Sequence, residues 1–192
     1  AGFGLRFDDL LLTDDSLQFK ASYFDTDAKD YIFMYVTRTQ TASANISRAK
    51  IWGWDTSLNY QTKWFNWDLA YNRTRGKDKS RNGELNAKSG DWLADISPDT
   101  VTSSLDVPLG ETGLSAGWVA TFAERAKRVP ATYSEQGGYG VNDFYLSYKG
   151  RDRLQGMTTT VVLGNAFDKE YYSPQGVPQD GRNAKLLVSY QW

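Results

Sequence analysis

Apolar and polar side chains alternate with a period of two along almost the whole chain, and only extended strands turn that pattern into an apolar face. It is plainest at the end, where Ala184, Leu186, Val188, Tyr190 and Trp192 fall on one side and Lys185, Leu187, Ser189 and Gln191 on the other. Met157, Thr159, Val161 and Leu163 share a side, as do Phe144, Leu146 and Tyr148. So do Leu114, Ala116, Trp118, Ala120 and Phe122, and the run Val101, Ser103, Leu105, Val107. Upstream the same parity links Phe65, Trp67, Leu69 and Tyr71, then Trp52, Trp54, Thr56, Leu58 and Tyr60. Leu17, Phe19, Ala21 and Tyr23 follow it, it resumes at Tyr31, Phe33 and Tyr35, and Phe3, Leu5 and Phe7 open the chain. This predicts roughly nine strands, several near the ~9–11 residues a tilted strand needs to cross a bilayer.

The joins between strands alternate in length. Those at 8–15, 60–62, 108–113 and 150–156 are short; those at 36–45, 74–99, 125–138 and 166–182 are longer and richer in charge, Gly, Asn and Pro. Short turns at one edge and long loops at the other are the pattern of outer-membrane barrels, which a soluble sandwich does not require. If the last strand runs down to the periplasm, all four long loops fall outside the cell and all four short turns inside. The 74–99 stretch reads first as a solvated excursion.

Composition narrows the choice. No run approaches ~18 consecutive apolar residues, so no membrane helix is predicted. A strand that shows lipid at every second position keeps the average polar, as the mean hydropathy of -0.57 is. The 7 Trp and 12 Tyr suit interfacial girdles, although a soluble aromatic-rich β protein such as a carbohydrate-binding module shares them. A net charge of -1 argues against a nucleic-acid partner. With no His and no Cys, disulfides, thiolate nucleophiles, zinc–sulfur sites and the usual triads are out, so no catalytic or metal residue is assigned and no enzyme is expected. Asp25 and Asp27 share one strand face, about 7 Å apart; the simple reading is a polar strand end above the membrane. Haem iron commonly takes His and sometimes Tyr. Tyr35, Tyr133, Tyr171 and Tyr172 are more simply girdle or loop aromatics, and the segment is expected to bind no cofactor.

Arg38, Arg73, Arg75, Lys77, Lys79, Arg81 and Trp92 lie on or beside long loops, with Arg125, Lys127 and Arg128 as a second basic cluster. Of these, Arg38, Arg73, Arg75, Lys77, Trp92 and Arg125 form the candidate rim. It would meet an anionic ligand, a carrier protein, or the phosphates of lipopolysaccharide.

Several segments resemble the C-terminal part of TonB-dependent outer-membrane receptors. NAFDKEYY (Asn165 to Tyr172) is similar to the family's sequence before its last extracellular loop, and Gly181 to Asn183 to the start of its final strand. Val188, Tyr190 and Trp192 resemble the terminal signature read by the barrel-assembly machinery. Leu17 to Ile32 and Ala49 to Tyr60 resemble recurring family strands, so the likeness covers nearly the whole chain. Among family members these strands look most similar to haem receptors of the haemophore-dependent type, although siderophore receptors share much of the frame.

The resemblance implies an all-β, antiparallel transmembrane barrel of 22 strands with a plugged lumen. Residues 1–192 would supply about the last nine strands, with the plug, the TonB-contacting box and the earlier strands lying elsewhere. Nine strands alone would leave two open edges in lipid, which is not viable. It also implies TonB-coupled import of an iron source, first of all haem delivered by a haemophore. Haem would be cargo, with any histidine ligand outside this segment. The implied partners are TonB, a haemophore or other haem carrier, and outer-membrane lipid and lipopolysaccharide. A siderophore receptor, or a small structural outer-membrane barrel, stands as the alternative.

Overall fold

The computed structural model describes residues 1–36, 41–80, 90, 92–93, 96, 99–127, 137–173 and 176–191, with backbone alone at 33–36 and 41–47. Each period-two run pairs with its neighbour in the chain. The strands are β1 (Gly2–Asp8), β2 (Ser16–Val36), β3 (Thr41–Gln61), β4 (Asn66–Asp78), β5 (Thr100–Pro108), β6 (Leu114–Ala123), β7 (Tyr139–Lys149), β8 (Met157–Gly164) and β9 (Asn183–Tyr190). Among the described residues they form one 9-stranded sheet in strict chain order, every pair antiparallel. A one-turn 3-10 helix, Asp152–Leu154, closes the turn before β8. In the turn after β1, the buried Asp15 carboxylate accepts the backbone N–H groups of Leu10, Leu11 and Leu12 and the Tyr60 hydroxyl, at 2.7–3.0 Å.

Two joins differ from expectation. Strand occupies both ends of the loop expected at 36–45 and the first five residues of the one expected at 74–99: β2 reaches Val36, β3 begins at Thr41, and β4 continues to Asp78. Beyond Tyr23 and Trp54 the outer face turns charged while Ala28, Ala49 and Ile51 lie on the other, so the alternation of the lower strands inverts and the backbone ladder carries the strands on.

Residues directly opposite across a pair share a face. One row runs Phe7, Leu17, Tyr60, Trp67, Leu105, Trp118, Phe144, Leu163, Ala184. It starts at the short-turn end of β1 and finishes at the long-loop end of β9, so the rows climb as a tilted barrel wall requires. Eight inter-strand steps of about 4.8 Å rising across an apolar band of about 25 Å give a strand tilt of about 40°.

This face is apolar and open. Leu186 is 67% exposed, Val188 and Tyr190 61%, Phe3 58% and Val161 52%. Such a continuous patch is not compatible with water. Its few polar atoms are tied off: the Trp67 indole donates to Ser103 Oγ and the Trp118 indole to Asn142 Oδ1, both at 2.9 Å.

The other face is a polar ladder. Asn59 Nδ2 donates to Asn66 Oδ1 at 2.9 Å and to Asp68 Oδ1 at 2.7 Å. The Tyr145 hydroxyl donates to Asp106 at 2.7 Å, with its ring lying flat on Gly117, where a Cβ would come within 2.0 Å of Cζ. Apolar outside and hydrogen-bonded within is the inverse of a soluble sheet and the arrangement of a membrane barrel wall.

Candidate functional site at the loop end of the sheet

Above the apolar band the parity of the lipid-type face continues in charge. Tyr23, Trp54 and Arg73 stand in one row and Asp25, Trp52 and Arg75 in the next. Asp27, Lys50 and Lys77 follow, and then Lys29 and Arg48, beside which Lys79 donates its backbone N–H to the Arg48 carbonyl at 2.9 Å. The Tyr23 and Trp54 rings, 4.8 Å apart, mark the upper girdle.

Three of the expected rim residues, Arg73, Arg75 and Lys77, therefore sit within β4 rather than on a loop, and on the outer face. Arg75 is buried, 5% exposed, and grips the Asp99 carboxylate through both guanidinium nitrogens; Glu124 lies 3.7 Å away. Burial on its own raises the Asp99 pKa, but hydrogen bonding and charge from Arg75, with Arg73 and the Tyr71 hydroxyl, hold it below the ordinary carboxylate value. Trp92 pairs alongside Lys77, whose ammonium lies 4.7 Å from the indole centre, and Trp92 is 6.2 Å from the Trp52 ring. The same short pairing carries Leu93, which with Ile96 packs over Ala49 on the polar-face side. A Cβ on Gly76 would meet both of them at 2.8 Å, so any larger residue there must push these two side chains aside.

Arg125 is exposed just past β6, and the neighbouring Lys127 pairs with Glu124 at 2.9 Å. Arg38, Arg81, Arg128, Tyr133 and Trp192, and the side chain of Tyr35, lie outside the described residues. Lys29, Arg48 and Lys50 were not expected at this surface. The signal was available: carrying the parity of Leu58, Trp54 and Trp52 up β3 reaches Lys50 and Arg48. Asp25 and Asp27 do share a face, and each has a partner, Lys50 at 3.1 Å and Arg48 at 3.6 Å.

The NAFDKEYY segment is a clamp. Buried Asn165, with φ 46°, donates from Nδ2 to the Lys169 and Asp180 carbonyls at 2.8 and 3.1 Å and accepts the Lys169 N–H at 2.8 Å. Its own N–H meets the Asp143 carboxylate at 2.6 Å, while Asp168 accepts the Arg182 N–H at 2.8 Å. The two ends of the last long loop are thereby pinned to β7. Tyr171 stacks on Tyr139 with ring centres 4.6 Å apart, and the Tyr172 hydroxyl donates to Glu170 at 2.6 Å. Both phenols thus have structural employment in the loop. Val188 and Tyr190 lie on the open apolar face of β9.

Residues 2–166 match the family model described as "TonB dependent receptor-like, beta-barrel". The chain is 59% identical over 204 residues to a hemin receptor of Yersinia enterocolitica, covering 100% of this chain and 28% of that protein. It is 60% identical over 193 residues to a hemin receptor of Yersinia pestis, covering 100% of this chain and 27% of that one. Among solved structures, the copper transporter OprC superposes with a TM-score of 0.77 at 21% identity, over 98% of this chain and 30% of its own. The Serratia marcescens hemophore receptor HasR, solved with its hemophore HasA and heme, superposes with a TM-score of 0.70 at 24% identity, over 100% of this chain and 30% of its own. At these identities the two structures share the fold. The chain spans less than a third of the length of the relatives it matches.

Proposed function

Because the chain belongs to the family of TonB-dependent receptor-like β-barrels of the outer membrane, we propose that it forms one stretch of the wall of a receptor that imports haem by TonB-coupled transport. The observation that carries this is the near-60% identity to two hemin receptors along the full chain. In this reading the apolar face meets lipid and the polar ladder lines the lumen. The free edges of β1 and β9 pair with strands from elsewhere in the protein, since an open edge in lipid leaves backbone groups unsatisfied. The plug and the TonB-contacting segment also lie elsewhere, and residues 1–192 supply wall, loops and the assembly signature of Val188, Tyr190 and Trp192. The chain has no histidine, so a histidine ligand for haem iron comes from the rest of the receptor. Binding and gating, with no bond made or broken, are what such a wall offers.

Delivery by a haemophore is the finer reading, supported by the full-length superposition on HasR, whose solved complex contains one. The test is growth of a haem-synthesis mutant expressing the full receptor. Growth on haemin that disappears without TonB fits the proposal, and growth on haemophore-bound haem fits the finer reading. No growth on haemin, together with TonB-dependent uptake of iron from a ferric siderophore by the same receptor, would overturn it.

A further inference from the structure

At the top of β4 a buried carboxylate is only half satisfied. Asp78 is 2% exposed, and Ser80, equally buried, donates its backbone N–H and its hydroxyl to Asp78 Oδ1 at 2.7 and 2.5 Å. Asp78 Oδ2 has no hydrogen-bond partner among the described residues. A charge taken out of water is stable only when it is paired and hydrogen-bonded. Strand parity keeps the nearby cations from it. Asp78 stands opposite Ala49 on the inner face, whereas Lys29, Arg48, Lys50 and Lys77 take the outer one. The inner surface that it adjoins, built on Ala49 with Ala28, Leu93 and Ile96, is apolar.

The missing partner is a cation from solution. With no His and no Cys in the chain, its side chains offer a metal chiefly oxygen, the ligand of hard ions. The sequence from Asp78 sets those oxygens at the spacing of a calcium loop. Asp78, Ser80 and Asn82 alternate as its first, third and fifth residues, and Gly83 stands sixth, where such a loop turns sharply. The twelfth place holds Ser89 in place of a bidentate Glu. Asn82, Gly83 and Ser89 lie outside the described residues and enter by sequence alone. Among the described residues no three acidic groups come together. So few charged ligands put the affinity in the weak class, about 10⁻⁴–10⁻³ M, which suits an ion supplied by the medium outside a cell. Position agrees. Asp78 lies five residues beyond Arg73 along β4, which at about 3.4 Å per residue and about 40° of tilt is about 13 Å above the girdle, at the long-loop end. We propose that Asp78 and Ser80 hold a calcium ion at the base of the 74–99 excursion. Asp78 Oδ2 is the charged ligand, and Ser80 fixes the carboxylate through Oδ1. The ion neutralises Asp78 and fastens the returning chain, where the Gly90 N–H donates to the Asp78 carbonyl at 2.7 Å and Trp92 pairs beside Lys77. The inference rests on the outward placement of the long loops and is independent of which cargo the receptor carries.

The test uses the full-length receptor in detergent, stripped with a chelator. Calcium and magnesium chloride are the probes in titration calorimetry, and terbium is a luminescent stand-in excited through Trp92. Folding of each variant is verified by gel mobility before and after heating. Wild type is expected to bind calcium at a site that an equal concentration of magnesium does not fill. Asp78→Asn keeps the size and loses the charge, and should weaken that site about 10- to 100-fold. Ser80→Ala keeps the carboxylate and should weaken it about tenfold; it decides the matter if Asp78→Asn does not fold. Glu111→Gln, exposed on the short turn after β5, should bind as wild type does. Trp92→Phe should dim the terbium emission and leave calcium affinity unchanged. Equal calcium uptake by wild type, Asp78→Asn and Ser80→Ala overturns the proposal. So does a site that takes magnesium as tightly, or terbium emission that Trp92→Phe leaves undimmed.

Discussion

Leu146 and Ser147 are adjacent in β7 and face opposite ways, which makes them a direct probe of which face meets lipid. Leu146 stands between Ala116 and Val161 on the apolar face and is 47% exposed. Ser147 bonds Thr160 across the ladder at 2.9 Å on the polar face. Phe144 lies six strands along the climbing row from Phe7, about 18 Å up the apolar band at about 40° of tilt. Two residues back toward the short turns puts Leu146 at about 13 Å, close to the middle of a band of about 25 Å. An arginine there is about 12 Å from either interface, beyond the reach of its own side chain, so it cannot snorkel free. Leu146→Arg is therefore expected to cost about 2–4 kcal/mol, between about 30-fold and several hundred-fold in the folding equilibrium. Ser147→Arg gives up one hydrogen bond in a wet lumen, about 1 kcal/mol. The assay is urea-dependent folding of the full-length receptor into vesicles, scored by heat-modifiable gel mobility. Equal penalties, or a larger one at Ser147, would refute the assignment of faces and the register on which it rests.

Gly117→Ala drives a Cβ into the Tyr145 ring and displaces its hydroxyl from Asp106, an expected loss of about 1–3 kcal/mol. The same substitution made with Tyr145→Ala should cost much less, which a double-mutant cycle in the same assay reads. Asn165→Ala removes three side-chain hydrogen bonds from the clamp, and faster protease cleavage within 166–182 is expected while the gel mobility of the folded barrel stays unchanged. Arg75→Gln should release Asp99 and lower hydrogen-exchange protection of the Leu93 amide, which bonds the Gly76 carbonyl beside it. Because the folded-state pKa of Asp99 is depressed, its contribution is fully present above the unfolded value of about 3.9 and is lost as pH falls through the lower folded value. Protection in the wild type should accordingly hold at pH 5 and fall only below about pH 4.

The apolar halves of the strands were legible because lipid enforces alternation. Val188 and Tyr190 show it, and so does the shared parity of Trp67, Leu69 and Tyr71. The upper parts of β2, β3 and β4 were not, because there Asp27, Lys29 and Arg48 take the outer positions and small apolar residues such as Ala28 and Ala49 the inner ones, which inverts the pattern that marks the lower strands. That failure also misplaced Arg73, Arg75 and Lys77. Once the strand is continued past Arg73, the parity of Tyr71 turns all three outward without further information. NAFDKEYY was visible as a motif, but its role as a clamp depends on Asn142 and Asp143 of β7 meeting it in space, which no local pattern carries. Arg75's grip on Asp99 spans 24 residues and was unreadable for the same reason.

Among the described residues, the strands of the sheet stand in strict chain order, each beside its predecessor and its successor. Such a wall has the logic of a row of tiles. Deleting or duplicating one hairpin removes or adds two strands, returns the chain to the same end of the membrane, and leaves the facing of every other residue unaltered. The circumference of the pore can thus change in steps of two by recombination at a single short turn, with no compensating substitution in the remaining wall. An odd step reverses the direction of everything downstream and sends long loops to the wrong compartment. Width is the cheap variable in this architecture and parity the forbidden one, and even strand counts follow from that rule of inheritance as much as from closure.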